Sequence, residues 1–397
     1  MYKTCKKTVL SGLLTLMLVT AGCGQPAPTG STATPAPPAP TSATDWPTAT
    51  PEAVGLDAAP LNALAARIEN DPSVNIHSVL IVKGGSLVFE RYFSGADEDW
   101  GTDLGVVEFG PDTRHDLRSV SKSVTSALVG IAVGEGRLPG IGTSTLDLFP
   151  AYAEHVAPDK RELRLEHILT MTAGLDWFEP SDYTNPGNDE IRMITSADPV
   201  AFVLGRSFAA PPGEQFQYNG GLPTLLGYLL EQAYGQRGDQ ILREKLLEPL
   251  GIEHFDFRAN DNGLLAYASG IRLRPRDMAK FGLLYLDEGR WQGRQIVPGE
   301  WVRASLTAHA RPANRAGYGY QWWIEGFRSD TESLLVPMAV GNGNQRIMIV
   351  APLNMVVIVT AGHYNQTEGV LWGSDILAEY VLPAAGMDGM RVSAGAN

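Results

Sequence analysis

Residues 116–136 read DLRSVSKSVTSALVGIAVGEG. Val120, Val124, Ala127, Leu128, Ile131 and Ala132 recur at three- and four-residue steps, the period of a helix apolar enough to lie in a core. Its first turn nevertheless holds Ser119, Ser121, Ser123 and Lys122. A cation suits the other end of a helix, where the dipole is negative. Ser119 and Lys122 stand three apart and share one face. A serine hydroxyl becomes a useful nucleophile only with a base in hydrogen-bonding reach, and a lysine is that base only when neutral. Moving its pKa from about 10.4 to about 7 amounts to on the order of 4–5 kcal/mol. Burial and the positive end of the helix both push that way. The plainer alternative is a capping serine followed by a lysine that reaches solvent, and a Ser-x-x-Lys pair arises readily by accident.

Outward from this helix the chain divides by composition. Its 397 residues, 44% hydrophobic and 19% charged, suit a globular protein with a sizeable core. MYKTCKK and the apolar run TVLSGLLTLMLVT precede Ala21-Gly22-Cys23, which reads as a processing segment over residues 1–22. Val19-Thr20-Ala21-Gly22-Cys23 resembles a lipoprotein signal with Cys23 lipidated; a plain secretory signal is the other reading, since Thr20 is a less usual choice. The expectation is an exported, envelope-located protein held to a membrane through Cys23. Residues 23–51 are rich in Pro, Ala and Thr and read as a tether. The remaining cysteine is Cys5, so the expected domain, residues 52–383, has no disulfide and no thiol nucleophile. A net charge of −13 argues against nucleic acid and against anionic substrates drawn from a distance. Loss of residues 1–22 removes Lys3, Lys6 and Lys7 and no acid, which makes the rest more acidic still.

Within the domain, residues 56–70 have helical spacing and residues 77–95 read as two strands around Lys83-Gly84-Gly85. Residues 145–290 read as a helical lobe, broken by the loop GLDWFEPSDYTNPGNDE at 174–190. YGYQWWI, LLVPMAV, QRIMIVAP and MVVIVTAG are strand-like, and residues 369–382 form a closing helix before a tail at 384–397. Strands at both ends and helices between predict an α+β fold: one antiparallel sheet built from both termini, flanked by helices, with an inserted helical lobe. The cleft between lobes is the default place for chemistry.

SVSKSVTSALVGIA, LRLEHILTMTAGLDW (163–177), PPGEQFQYNGGLPTLLGYLLEQAYG (211–235), ASGIRLRPRDMAKFGLLYLDEGRWQGRQIVPGEWV (268–302) and MAVGNGNQRIMIVAPLNMVVIV (338–359) follow in this order. Together they resemble the serine hydrolases related to class C β-lactamases and penicillin-binding proteins, a superfamily that includes esterases and the 6-aminohexanoate-dimer hydrolases. The resemblance covers nearly all of residues 52–382 and implies a β-lactamase/transpeptidase-like fold. It implies Ser119 as nucleophile, Lys122 as its base partner and Tyr218 as the proton shuttle. A tyrosine beside a lysine ammonium titrates with it as a pair. The family's motif is Tyr-x-Asn, but residue 220 is glycine and the asparagine stands one place early, at Asn219. Either Asn219 takes over the amide-binding role or the role is absent. The third motif, Lys-Thr-Gly or His-x-Gly in penicillin-recognising members, is Ala339-Val340-Gly341 here, so the carboxylate-gripping cation is missing. The resemblance implies the N–H groups of Ser119 and Asn342 as an oxyanion hole, with Gly341 and Gly343 letting the chain pass close to a substrate.

Trp177, Tyr183 and Asp182 of the long loop are candidate substrate contacts, as are His363 beyond the last strand and Arg346, a possible substitute for the missing cation. Each has a plainer reading as a packing or surface residue. No Gly-x-Ser-x-Gly elbow and no His-Glu-x-x-His occur, and the seven histidines show no metal-ligand spacing. No metal or organic cofactor is implied. The expectation is a serine hydrolase that cleaves small carboxylic esters or linear amides through an acyl-Ser119 intermediate. The alternatives are a β-lactamase or DD-peptidase, and a non-catalytic envelope binding protein that keeps the fold.

Overall fold

The computed structural model describes residues 46–154, 158–260, 263–366 and 369–393. The expected signal peptide, Cys23 and most of the tether lie outside the described residues. The main sheet has eight strands: β1 (Ile76–Lys83), β2 (Ser86–Tyr92), β3 (Gly317–Tyr318), β4 (Trp323–Arg328), β5 (Ser333–Gly341), β6 (Gln345–Val350), β7 (Met355–Ala361) and β8 (Arg391–Ser393). Their order is β3-β4-β5-β6-β7-β1-β2, and β8 joins β3 in pairing with β4. The pairing of β1 with β7 closes the two ends of the chain into one antiparallel sheet.

Both faces of this sheet are covered, which is why its central strands read as unbroken apolar runs rather than alternating ones. On β6, Ile347 and Ile349 face one core and Met348 and Val350 the other. The first core holds α2 (Val120–Gly134), α3 (Gly221–Tyr234) and α4 (Pro275–Leu286). The second lies under α1 (Ala58–Asn70) and the helical residues 373–384. α2 is buried along nearly its whole length, and three of its hydroxyls find backbone partners. Ser121 Oγ accepts from Ile271 N (3.2 Å), Ser123 Oγ donates to Gln321 O (2.6 Å) and Thr125 Oγ1 donates to Tyr267 O (3.0 Å). Hydroxyls so paired offset the cost of burying them.

The expected helical lobe also contains strands. Asp256–Phe257 and Ile271–Leu273 form a small sheet with His115–Asp116, and this sheet delivers the chain into the start of α2. The hairpin Gly95–Asp99/Thr102–Val107, whose polar sequence hides it, lies between β2 and that sheet. YGYQWWI is not a single strand: Gln321 turns out with φ 64°. Its backbone N–H donates to Leu169 O, and its side-chain amide to Ile168 O (3.0 Å) and Leu169 O (2.9 Å), satisfying carbonyls at a helix end. The tether packs from Trp46 onward, with that indole buried and Thr48 bridged to Leu87. Part of the expected tail is β8.

Gly130 marks the closest approach to α2, since a Cβ there would lie 2.4 Å from the indole of Trp301. A Gly→Ala change inside a helix normally gains about 1 kcal/mol. Here overpacking costs about 1–3 kcal/mol, so Gly130→Ala is expected to lower the urea unfolding midpoint rather than raise it.

Candidate active site

The chain enters α2 through a turn with a left-handed residue, held by hydrogen bonding and packing. Leu117 N donates to Ile271 O (3.0 Å), and Arg118 has φ 48°, a conformation costing a residue with a Cβ roughly 1–2 kcal/mol. Its guanidinium is tied to Glu98 (2.7 Å) and lies over the Tyr364 ring (4.8 Å). Ser119 follows, and its hydroxyl takes a hydrogen bond from Lys122 Nζ at 2.9 Å. The amine also donates to Ala268 O (3.2 Å), and the lysine is only 2% exposed. The first-turn lysine therefore points inward along its helix rather than out to water.

Tyr218 completes the group. It hydrogen-bonds Ser119, Lys122 Nζ lies 5.0 Å from its ring centroid, and Trp323 stacks on it at 5.6 Å. Burial and the charge of Glu179 push its phenol well above the usual value, partly opposed by the Ser119 hydrogen bond. Ser119, Arg118, Glu98, Trp100, Tyr183, Glu190, Ile191, Ile194, Asn342 and Asn365 line a cavity of about 190 Å³. Its walls combine apolar side chains with two carboxyl groups.

Glu179 and Glu190 were not visible as candidates in the sequence. Glu179 accepts from Trp177 Nε1 (2.6 Å), Tyr183 Oη (2.9 Å) and Gly220 N (2.6 Å). Glu190, the second residue of the helix Asp189–Ile194, is buried beside it. Burial and the Glu179 charge push its carboxyl up to about 8, against the pull of Lys122 and Arg118. The one available signal was Gly220, the departure from Tyr-x-Asn, because a missing side chain leaves space to be filled.

At the third motif, Gly341 has a packing reason to be glycine. A Cβ there would lie 2.3 Å from Leu117 O and 3.2 Å from Arg118 Cβ, so the end of β5 presses on the turn before Ser119. Asn342 lies next in the cavity wall, its side chain exchanging hydrogen bonds with Asn365 (2.8 and 2.9 Å). Tyr183 also reaches the cavity. The other candidates lie elsewhere. Trp177 is a core residue set against Phe202 that holds Glu179, and Asp182 folds back on Thr184. Asn219 is buried and caps Gly221 N (2.8 Å) at the start of α3. His363 is buried, accepting from Asn75 N (3.2 Å). Arg346 faces the second core, paired across strands with Val340, its guanidinium donating to Gln345 O (3.0 Å) and lying 5.8 Å from Trp372. An arginine on that face of the sheet does not replace the missing cation.

The fold also gathers histidines that their spacing keeps apart. His77 Nδ1 and His115 Nε2 are 2.8 Å apart, and Asp97 Oδ1 is 3.7 Å from His115 Nε2. These are the atoms among the described residues that could hold a metal ion. The nitrogen pair sits at hydrogen-bond distance, closer than the roughly 3.4 Å between two nitrogens about 2.1 Å from one tetrahedral ion. Burial and then His115 push His77 down to about 2, and burial pushes His115 down. A histidine kept neutral when folded takes up a proton on unfolding below about pH 6.5, so its contribution to stability is lost as pH falls. The unfolding free energy is expected to drop by up to about 1.4 kcal/mol per pH unit per histidine between pH 6 and 5. Urea titrations of wild type and His77→Gln check this, the variant showing the shallower pH dependence.

Comparison with known proteins agrees with this geometry. The chain is 27% identical over 292 residues to a 6-aminohexanoate-dimer hydrolase of Paenarthrobacter ureafaciens, covering 67% of this chain and 69% of that one. Among solved structures it resembles EstCE1, a hydrolase with promiscuous acyltransferase activity (TM-score 0.63, 14% identity, 84% of this chain and 99% of that one). It also resembles the octameric penicillin-binding protein homologue from Pyrococcus abyssi (TM-score 0.61, 19% identity, 84% and 78%). A model of the beta-lactamase family matches residues 64–371, the span that carries the serine, the lysine, the tyrosine and the strand pressed against them, and the chain belongs to that family.

Proposed function

We propose that the protein is a serine hydrolase that cleaves small carboxylic esters or linear amides through an acyl-Ser119 intermediate. The observation that carries this reading is the 2.9 Å contact between a buried Lys122 amine and the Ser119 hydroxyl. In the reaction, Ser119 Oγ attacks the carbonyl carbon and its proton passes to Lys122. Tyr218 relays a proton to the leaving oxygen or nitrogen, and the acyl–Ser119 bond is then broken by water. The backbone N–H groups of Ser119 and Asn342 are the proposed donors to the oxyanion, a contribution of about 10²–10³ in rate for each such donor in other enzymes.

The cavity favours the ester and linear-amide reading over β-lactams and peptidoglycan stems. Its cation, Arg118, is engaged by Glu98, Arg346 faces the far side of the sheet, and Glu190 adds a further acid to the wall. Among the described residues lining the cavity, the one cation is already paired with an acid, while Trp100, Ile191 and Ile194 suit a short apolar acyl group. Export and lipidation at Cys23 are part of the same proposal.

The test uses residues 24–397 with a p-nitrophenyl ester, a chromogenic cephalosporin and a fluorophosphonate label. Ester turnover and labelling are expected in the wild type, both falling to background in Ser119→Ala. Tyr218→Phe is expected to slow turnover by about 10²–10⁴. Efficient cephalosporin cleavage instead would establish a β-lactamase. Neither turnover nor labelling would leave a binding protein.

A further inference from the structure

The departure at residue 220 has a structural counterpart. A Cβ built on Gly220 would lie 2.4 Å from Glu190 Oε2, 2.5 Å from Glu190 Cδ and 3.1 Å from Glu179 Oε2. The carboxyl group of Glu190 thus fills the space into which a side chain two residues after Tyr218 would project. Glu190 is only 6% exposed, yet it borders the same cavity as Ser119.

Two carboxyl groups in contact inside a protein do not both ionise cheaply, and one keeps a proton. Glu179 accepts two N–H groups and one O–H, a donor set that suits a carboxylate. The proton of the pair accordingly resides on Glu190, which is hydrogen-bonded to Glu179. The charged and titratable groups facing Glu190 come from several elements. They are Glu179 and Tyr183 in the long loop, Tyr218 before α3, Lys122 on α2 and Arg118 ahead of it, with Glu98 of the hairpin on the same cavity.

We propose that Glu190 is a positioning residue for Lys122: seated in the space left by Gly220 and sharing one proton with Glu179, it limits the negative charge facing the lysine to one unit. When Glu190 loses its proton to solvent, a second negative charge falls on the pair and opposes the neutral Lys122 amine that the proposed step needs to take the Ser119 proton. The consequence is opposite in sign to that of an ordinary lysine base, whose activity rises with pH. Tyr218, pushed well above its usual value, does not titrate in that range. This inference rests on the serine-hydrolase reading.

The experiment measures kcat/KM for the p-nitrophenyl ester from pH 6 to 10 in wild type, Glu190→Gln and Glu179→Gln. With Glu190 titrating at about 8, wild-type activity is expected to be about tenfold lower at pH 9 than at pH 7. In Glu190→Gln, whatever its level at pH 7, the ratio of pH 9 to pH 7 rises about tenfold, because a neutral amide cannot gain the second charge. Glu179→Gln, in which the pair carries one charge at most, is likewise expected to lose the descending limb. A limb unchanged in Glu190→Gln, or no limb in the wild type, overturns the proposal. Infrared difference spectra between pH 7 and 10 give a readout independent of turnover. A protonated carboxyl lost on alkalinisation and missing from Glu190→Gln is expected, and its absence from the wild type overturns the proposal as well. Fluorophosphonate labelling of Ser119 at pH 7 separates the two failures, since labelled enzyme without the Glu190 signature leaves the hydrolase reading intact.

Discussion

An amine held out of water governs the arrangement of this molecule. Lys122 is 2% exposed, and its two recorded acceptors are a serine hydroxyl and the carbonyl of Ala268. A buried amine costs free energy unless hydrogen bonds compensate it, and the elements around it supply the acceptors and the packing. α2 is buried nearly throughout, and the strand Ile271–Leu273 binds its entry turn. The end of β5 presses on that turn without a side chain at Gly341, and the Tyr218–Trp323 stack covers the amine from the other side. These supports come from distant parts of the sequence, and each constrains the same few atoms.

Charge around the site follows from that demand. The cavity wall carries acids, and its arginine is committed to Glu98. Glu179 is the hub. It holds the Tyr183 hydroxyl, the Trp177 indole and the Gly220 amide at once, so the long loop, the core and the turn after Tyr218 share one carboxylate. The part of the cavity wall that this loop supplies takes its shape from hydrogen bonds rather than from regular secondary structure.

Much of this was legible in advance, for a physical reason. The periodicity of residues 120–132 and the oddity of a first-turn lysine are local signals that raised Ser119 and Lys122 as candidates, and the family resemblance singled them out. The β-branched runs after residue 333 gave the strands because sheets covered on both faces need uninterrupted apolar sequence. What stayed hidden was decided across space. Glu190 looks like any early helix acid until Gly220 is seen to make room for it. Arg346 is near the third motif in sequence, but strand alternation sends it to the opposite face from Ser119. His77 and His115, 38 residues apart, meet only because β1 lies beside the hairpin and the small sheet. Asn219 was read for its chemistry and is used instead as a helix cap.

The pairing of β1 with β7 has a consequence for how the chain reaches this state. Ser78 and Thr360 bond across the seam between β1 and β7 although 282 residues separate them. Neither core can close until the last long strand has been synthesised, so the early hairpin spends most of translation without its partner. Folding of such a topology is dominated by non-local contacts and is correspondingly slow. Until β7 arrives the edge of β1 that it covers stays unpaired, and an unpaired strand edge makes an incompletely folded chain prone to aggregation.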